Sequence, residues 1–136
     1  MISFNSPAIK FNLSQKRAIK VWLKSLIECE NKRVGEVAFI FCSDDELLQI
    51  NQQYLKHDYY TDVITFDYSE NTDVSGDIFI SVDTVRANAK KYNQSFDEEL
   101  HRVMAHGVLH LCGYKDKTLT QKKTMREKED FYLSKF

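Results

Sequence analysis

Two histidines four residues apart, His106 and His110, are the side chains of this sequence whose type and spacing point most directly to chemistry. Around them, Leu100, Val103, Met104, Val108 and Leu111 recur at helical spacing, which predicts a helix from Phe96 to Cys112. On a helix, side chains at i and i+4 stack on one face, so both imidazoles can reach a shared metal ion at the edge of the core. Gly113 is a natural helix stop that lets the chain turn, and Asp116 follows His110 by six residues. A carboxylate brought back there would complete a three-ligand site with an open fourth position, the arrangement of catalytic rather than structural zinc. Gly107 lies inside this helix at a cost of up to ~1 kcal/mol relative to alanine, which either close approach of another element or simple tight packing would explain.

The nearest zinc pattern with histidines at this spacing, H-E-x-x-H, fails here. Gly107 follows His106, so the glutamate that activates water in those proteases is absent.

The elements that must position these groups can be read from periodicity. Ile2 and Phe4 suggest a short strand over Met1 to Ser6. Ile19, Trp22, Leu23, Leu26 and Ile27 make an amphipathic helix of Ser14 to Glu30. Val34 to Cys42 is β-rich and largely apolar, as expected of a strand buried on both faces. Ser43 and Glu46 form a capping box that opens a helix to about residue 55. Thr61 to Tyr68 and Asp77 to Val82 read as strands joined by a polar loop from Ser69 to Gly76, and Asp83 as the cap of a short helix to about Tyr92. Ser95 and Glu98 form a second capping box before the histidine helix, and a last helix runs from about Leu119 to Leu133. The reading is α+β: one domain over residues 1–136, about four strands packed with four to five helices, the metal site on a core-edge helix.

Composition agrees with a single globular domain. The 136 residues are 43% hydrophobic and 12% aromatic, with four glycines and one proline, which excludes a disordered or fibrous chain. No apolar run approaches the ~20 residues of a membrane span, and Met1 to Lys10 lacks the features of a signal peptide, so a cytoplasmic protein is expected. Cys29, Cys42 and Cys112 are an odd number, and reduced, mostly buried thiols are expected. The formal net charge of −1 hides a pattern: residues 1–43 carry +4, 44–83 carry −9 and 84–136 carry +4. Such a distribution suits either a solvated surface or a basic groove for a polyanion.

The segment His106-Gly107-Val108-Leu109-His110-Leu111-Cys112-Gly113-Tyr114-Lys115-Asp116 resembles the H-G-x-L-H-L-x-G-x-D-H signature of the YbeY-type endoribonucleases. Thr61-Asp62-Val63-Ile64-Thr65-Phe66 is similar to that family's T-D-V-L-S-F, and Gly76-Asp77-Ile78 to its G-D-I, in the same order, so that the resemblance spans about residues 34–133. The resemblance implies an α+β metal-binding fold in the cytoplasm, one zinc ion held by His106 and His110, and single-strand RNA cleavage in 16S rRNA 3′-end maturation and ribosome quality control. The expected partners are RNA and the ribosome or its small subunit, with no membrane and no DNA.

Two positions depart from the family pattern. Its third ligand is usually histidine, and Asp116 stands there, a carboxylate that zinc accepts and that shifts preference toward harder ions. Where family members usually carry an arginine after the aromatic of an L-N-x-x-aromatic segment, Leu55 follows Tyr54, with Lys56 and His57 as alternative point charges. Elsewhere His101 reads as a surface residue or as one supporting the site from behind. Asp62 and Asp77 are implied by the resemblance but otherwise read as local caps. Lys122, Lys123, Arg126 and Lys128, alternating with Glu127, Glu129 and Asp130, read as a solvated helix face rather than an RNA clamp.

The leading hypothesis is therefore a metal-dependent endoribonuclease with Zn²⁺ on His106, His110 and Asp116. The rivals are a non-catalytic ribosome- or rRNA-associated factor with a structural metal, which the missing arginine and acidic middle favour, and a metalloprotease-like hydrolase, which only the histidine pair favours.

Overall fold

The computed structural model describes residues 1–55, without the Leu55 side chain, and 61–136. Among them the chain forms β1 (Ile2–Asn5), α1 (Lys16–Cys29), β2 (Arg33–Cys42), α2 (Asp44–Leu55), β3 (Val63–Asp67), β4 (Asp73–Ser81), α3 (Val82–Lys91), α4 (Phe96–Leu111) and α5 (Leu119–Leu133). The four strands make one mixed sheet in the order β1-β2-β4-β3. β1 and β4 run parallel to β2, while β3 is antiparallel to β4. This is the α+β architecture expected from the sequence.

Strand periodicity sorts the core. Val37, Phe39 and Phe41 of β2 and Val74, Ile78 and Ile80 of β4 bury against Ile19, Leu23 and Ile27 of α1 and Leu100, Met104 and Val108 of α4. The opposite face is covered only in part: α2 seals Cys42, Leu47 and Ile64 into a smaller cluster. β2 is therefore less covered than a strand buried on both faces, and Ala38 and Ile40 are only half-buried.

Several boundaries move. β4 begins at Asp73, four residues before the expected strand start, because the segment expected as a long loop is a tight turn with Asn71 in the left-handed region at φ 55°. Ser81 caps α3 by accepting from the Thr84 N–H. Asp83 has a different role from the expected cap: its carboxylate accepts the Asp44 N–H at 3.1 Å, capping the start of α2 from a neighbouring helix. Both capping boxes read from the sequence form, and α5 adds a third from Thr118 and Gln121. Of the thiols, Cys42 is buried and Cys112 half-buried, but Cys29 is exposed.

Gly107 is explained by β4. A Cβ there would lie 2.8 Å from Ile78 Cγ2, so glycine lets α4 press against the sheet. Gly107→Ala is expected to destabilise the protein by about 1–2 kcal/mol, because overpacking outweighs the gain in helix propensity. In an Ile78→Ala background the same substitution fills space and is expected to stabilise by up to about 1 kcal/mol. Urea unfolding of the four proteins checks this; the same sign in both backgrounds would rule Ile78 out as the reason for glycine.

Candidate metal centre

α4 buries residues on nearly every side, and His106 and His110 are two of its few partly exposed positions. The helix ends in a Schellman turn. The Gly113 N–H donates to the His110 carbonyl at 3.0 Å and the Tyr114 N–H to the Leu109 carbonyl at 3.1 Å, with Gly113 at φ 109°. That turn reverses the chain and returns Asp116 to the histidines, as the glycine in the sequence suggested.

The donor atoms make a nearly equilateral triangle. The two Nε2 atoms are 3.0 Å apart, and Asp116 Oδ2 lies 3.2 Å from His106 Nε2 and 3.3 Å from His110 Nε2. Three bonds of ~2.0–2.1 Å at tetrahedral angles separate their donors by about 3.3 Å, so the triangle fits one face of a zinc-sized tetrahedron. Proton placement supports the fit. His110 Nδ1 lies 2.9 Å from the Tyr114 carbonyl oxygen, which can only accept, so Nδ1 carries the proton and the neutral ring presents a lone pair at Nε2. His106 Nδ1 faces Glu129 Oε2 at 2.6 Å with the same consequence. With both rings neutral, three acceptor atoms converge on one point, which a cation would satisfy.

Glu129 was hidden in the sequence among the charges of α5. It is buried, and Arg102 holds its other oxygen at 2.9 Å while bonding Asp130 at 2.7 Å. The signal that could have found it is spacing: Met125, Glu129 and Tyr132 lie at i, i+4 and i+7, the buried stripe of α5. Burial draws the His106 pKa down, but the hydrogen bond and charge of Glu129, with Asp116 and Asp62, carry it above the ordinary histidine value.

A second network braces the turn from behind. Glu30, at the end of α1, accepts the Tyr114 hydroxyl at 2.6 Å, the Lys128 ammonium at 3.1 Å and the Tyr132 hydroxyl. Burial would raise its carboxyl pKa, but these three donors hold it below the usual range.

A cavity of about 710 Å³ opens beside the triad. Asp62 lines it together with His106, so this residue faces the site rather than serving only as a strand cap. Burial raises the Asp62 carboxyl pKa against the opposing charge of His106, and burial likewise raises Glu99 on the same wall. Asp77 does not line the cavity and accepts the Tyr68 hydroxyl at 3.4 Å. His101 is buried, contrary to its reading as a surface residue, because it stacks on Phe136 with centroids 4.3 Å apart and lies near Trp22; burial lowers its pKa. Lys56 and His57 lie outside the described residues, as does the side chain of Leu55.

Comparison with known proteins agrees with this architecture. A family model described as Endoribonuclease YbeY matches residues 2–136. A relative named Endoribonuclease YbeY from Phocaeicola vulgatus is 52% identical over 134 residues, covering 98% of this chain and 97% of its own. One of the same name from Flavobacterium psychrophilum is 52% identical over 136 residues, covering 100% and 96%. The solution structure of TM1509 from Thermotoga maritima superposes with a TM-score of 0.71 at 34% identity, over 98% of this chain and 87% of that one.

Proposed function

The chain belongs to the endoribonuclease YbeY family of RNA-cleaving hydrolases, and from that premise we propose that it is a zinc-dependent, single-strand endoribonuclease acting in 16S rRNA 3′-end maturation and ribosome quality control. The observation that carries the metal half of this reading is the triangle of His106 Nε2, His110 Nε2 and Asp116 Oδ2, whose three lone pairs converge at tetrahedral spacing. His106, His110 and Asp116 would hold a divalent cation, which would supply Lewis acidity toward water and a phosphate oxygen.

The protein's own groups do the rest. Glu129 and the Tyr114 carbonyl fix the tautomer and ring orientation of the two histidines. Asp62 and Glu99, whose burial favours the protonated carboxyl, are the candidates to pass a proton to the leaving oxygen. Around the cavity Asp62, Glu99, Asp116 and Glu129 face Arg102, Lys122 and Arg126. No helix among the described residues is long and apolar enough to cross a membrane, and the proposed setting is cytoplasmic, at the ribosome or its small subunit.

The test is metal removal and return. Cleavage of a 16S rRNA 3′-end fragment is expected to fall to background after dialysis against a chelator and to return with one equivalent of Zn²⁺. Cleavage that survives complete metal removal would overturn the reading, and RNA binding without cleavage in the zinc-loaded protein would favour the non-catalytic factor.

A further inference from the structure

From the wall of the cavity formed by α3 and α5 we infer that it is a nucleotide subsite flanking the metal centre, in which Tyr92 stacks an RNA base and Lys122 and Arg126 hold adjacent phosphates. This rests on the ribonuclease reading and gives the substrate a path. Lys122 and Arg126 lie four residues apart on α5 and so share one helix face, and both line the cavity that also reaches His106 and Asp116. Both are exposed; Arg126 lies 3.9 Å from Glu129, a distance that leaves its guanidinium available to a phosphate.

The same cavity is lined by Tyr92, Gln94 and Asn88. Tyr92 is 57% exposed, with the Lys91 ammonium 5.4 Å from its ring centroid. The ring sits on a fixed support. It caps α3, and Asn93 in the left-handed region at φ 55° closes a Schellman turn, with the Gln94 N–H donating to the Ala89 carbonyl at 2.8 Å. An exposed aromatic on an anchored backbone, in one cavity with two amides and two cations, offers the π-face, base-edge and phosphate contacts that a single strand presents. Such a wall favours a single strand, because a base inside a duplex is already stacked on both faces by its neighbours.

The probe is a fluorescent nine-nucleotide 2′-O-methyl RNA, titrated by anisotropy onto the zinc-loaded protein across a salt series. An oligomer of the same phosphates with abasic sugars and an oligoglutamate peptide are its controls. Tyr92→Ala is expected to weaken RNA binding about ten-fold, to leave abasic binding unchanged and to leave zinc content at the wild-type value, with Tyr92→Phe restoring affinity. The double variant Lys122→Ala/Arg126→Ala is expected to weaken both oligomers and to flatten the salt slope by about 1.4, since each single-strand phosphate contact contributes ~0.7. An unchanged affinity in Tyr92→Ala, or an unchanged slope in the double variant, overturns the subsite while leaving the ribonuclease reading intact. Oligoglutamate bound as tightly as RNA would assign the wall to an acidic peptide instead. If the wild-type protein binds no RNA at low salt, the ribonuclease reading falls along with the subsite.

Discussion

Replacing His110 with alanine is expected to remove bound zinc and RNA cleavage together while leaving the fold almost unchanged. Two ligands remain in the variant, and they cannot enclose a cation as three do. Loss of a group that only supports a ligand typically costs ~10–100-fold in metal affinity, so loss of the ligand itself is expected to cost more than about 100-fold. The folded protein loses little else. His110 is partly exposed, and among the described residues its hydrogen bond outside the triad, to the Tyr114 carbonyl, is worth about 1 kcal/mol. Metal content by elemental analysis, cleavage of the 16S rRNA fragment and the urea midpoint of the metal-free proteins, measured on identical preparations, check the three parts. Zinc content unchanged in the variant would mean that the triad is not the metal site. Zinc lost with equal residual cleavage would trace the cleavage to a contaminant.

Glu129→Ala is expected to strike stability and metal affinity at once. Its carboxylate is buried between His106 and Arg102, so removal leaves the partly buried His106 Nδ1–H and part of a guanidinium without their acceptor. Breaking a buried pair from one side costs ~3–5 kcal/mol; Arg102 keeps Asp130 and some solvent, which lowers the expectation to about 2–3 kcal/mol. Zinc affinity is expected to fall ~10–100-fold because nothing then fixes the His106 ring. Glu129→Gln keeps the volume and one carbonyl acceptor, and is expected to recover most of the stability and part of the affinity. Zinc affinity equal to wild type in a folded Glu129→Ala protein would show that His106 is oriented by its own packing alone.

Local signals carried much of this protein. Capping boxes at Ser43 and Ser95 depend on residues three apart in the chain, and both form as the sequence suggests. The histidine pair and the Gly113 turn are likewise short-range: helical periodicity sets one and the Schellman geometry of a glycine sets the other. The three elements of the triad lie within eleven residues, so their meeting needed little from the rest of the fold.

What distant contacts decided was out of reach of such patterns. Asp83 could not be recognised as the cap of α2, because its partner Asp44 lies 39 residues away and only the pairing of β2 with β4 brings them together. His101, read as a surface residue or a support of the site, is buried instead by Phe136, a contact between positions 35 residues apart. Glu129 carried the right spacing for burial on α5, but a charged residue at a core position has no favourable environment until α4 supplies Arg102 and His106 as partners. Short-range spacing was enough to place His106, His110 and Asp116 together, on α4 and the turn after it, because they lie within eleven residues. Which carboxylate orients His106 and which helices wall the cavity beside it follow instead from packing α5 and α3 against α4, an arrangement that no local periodicity encodes.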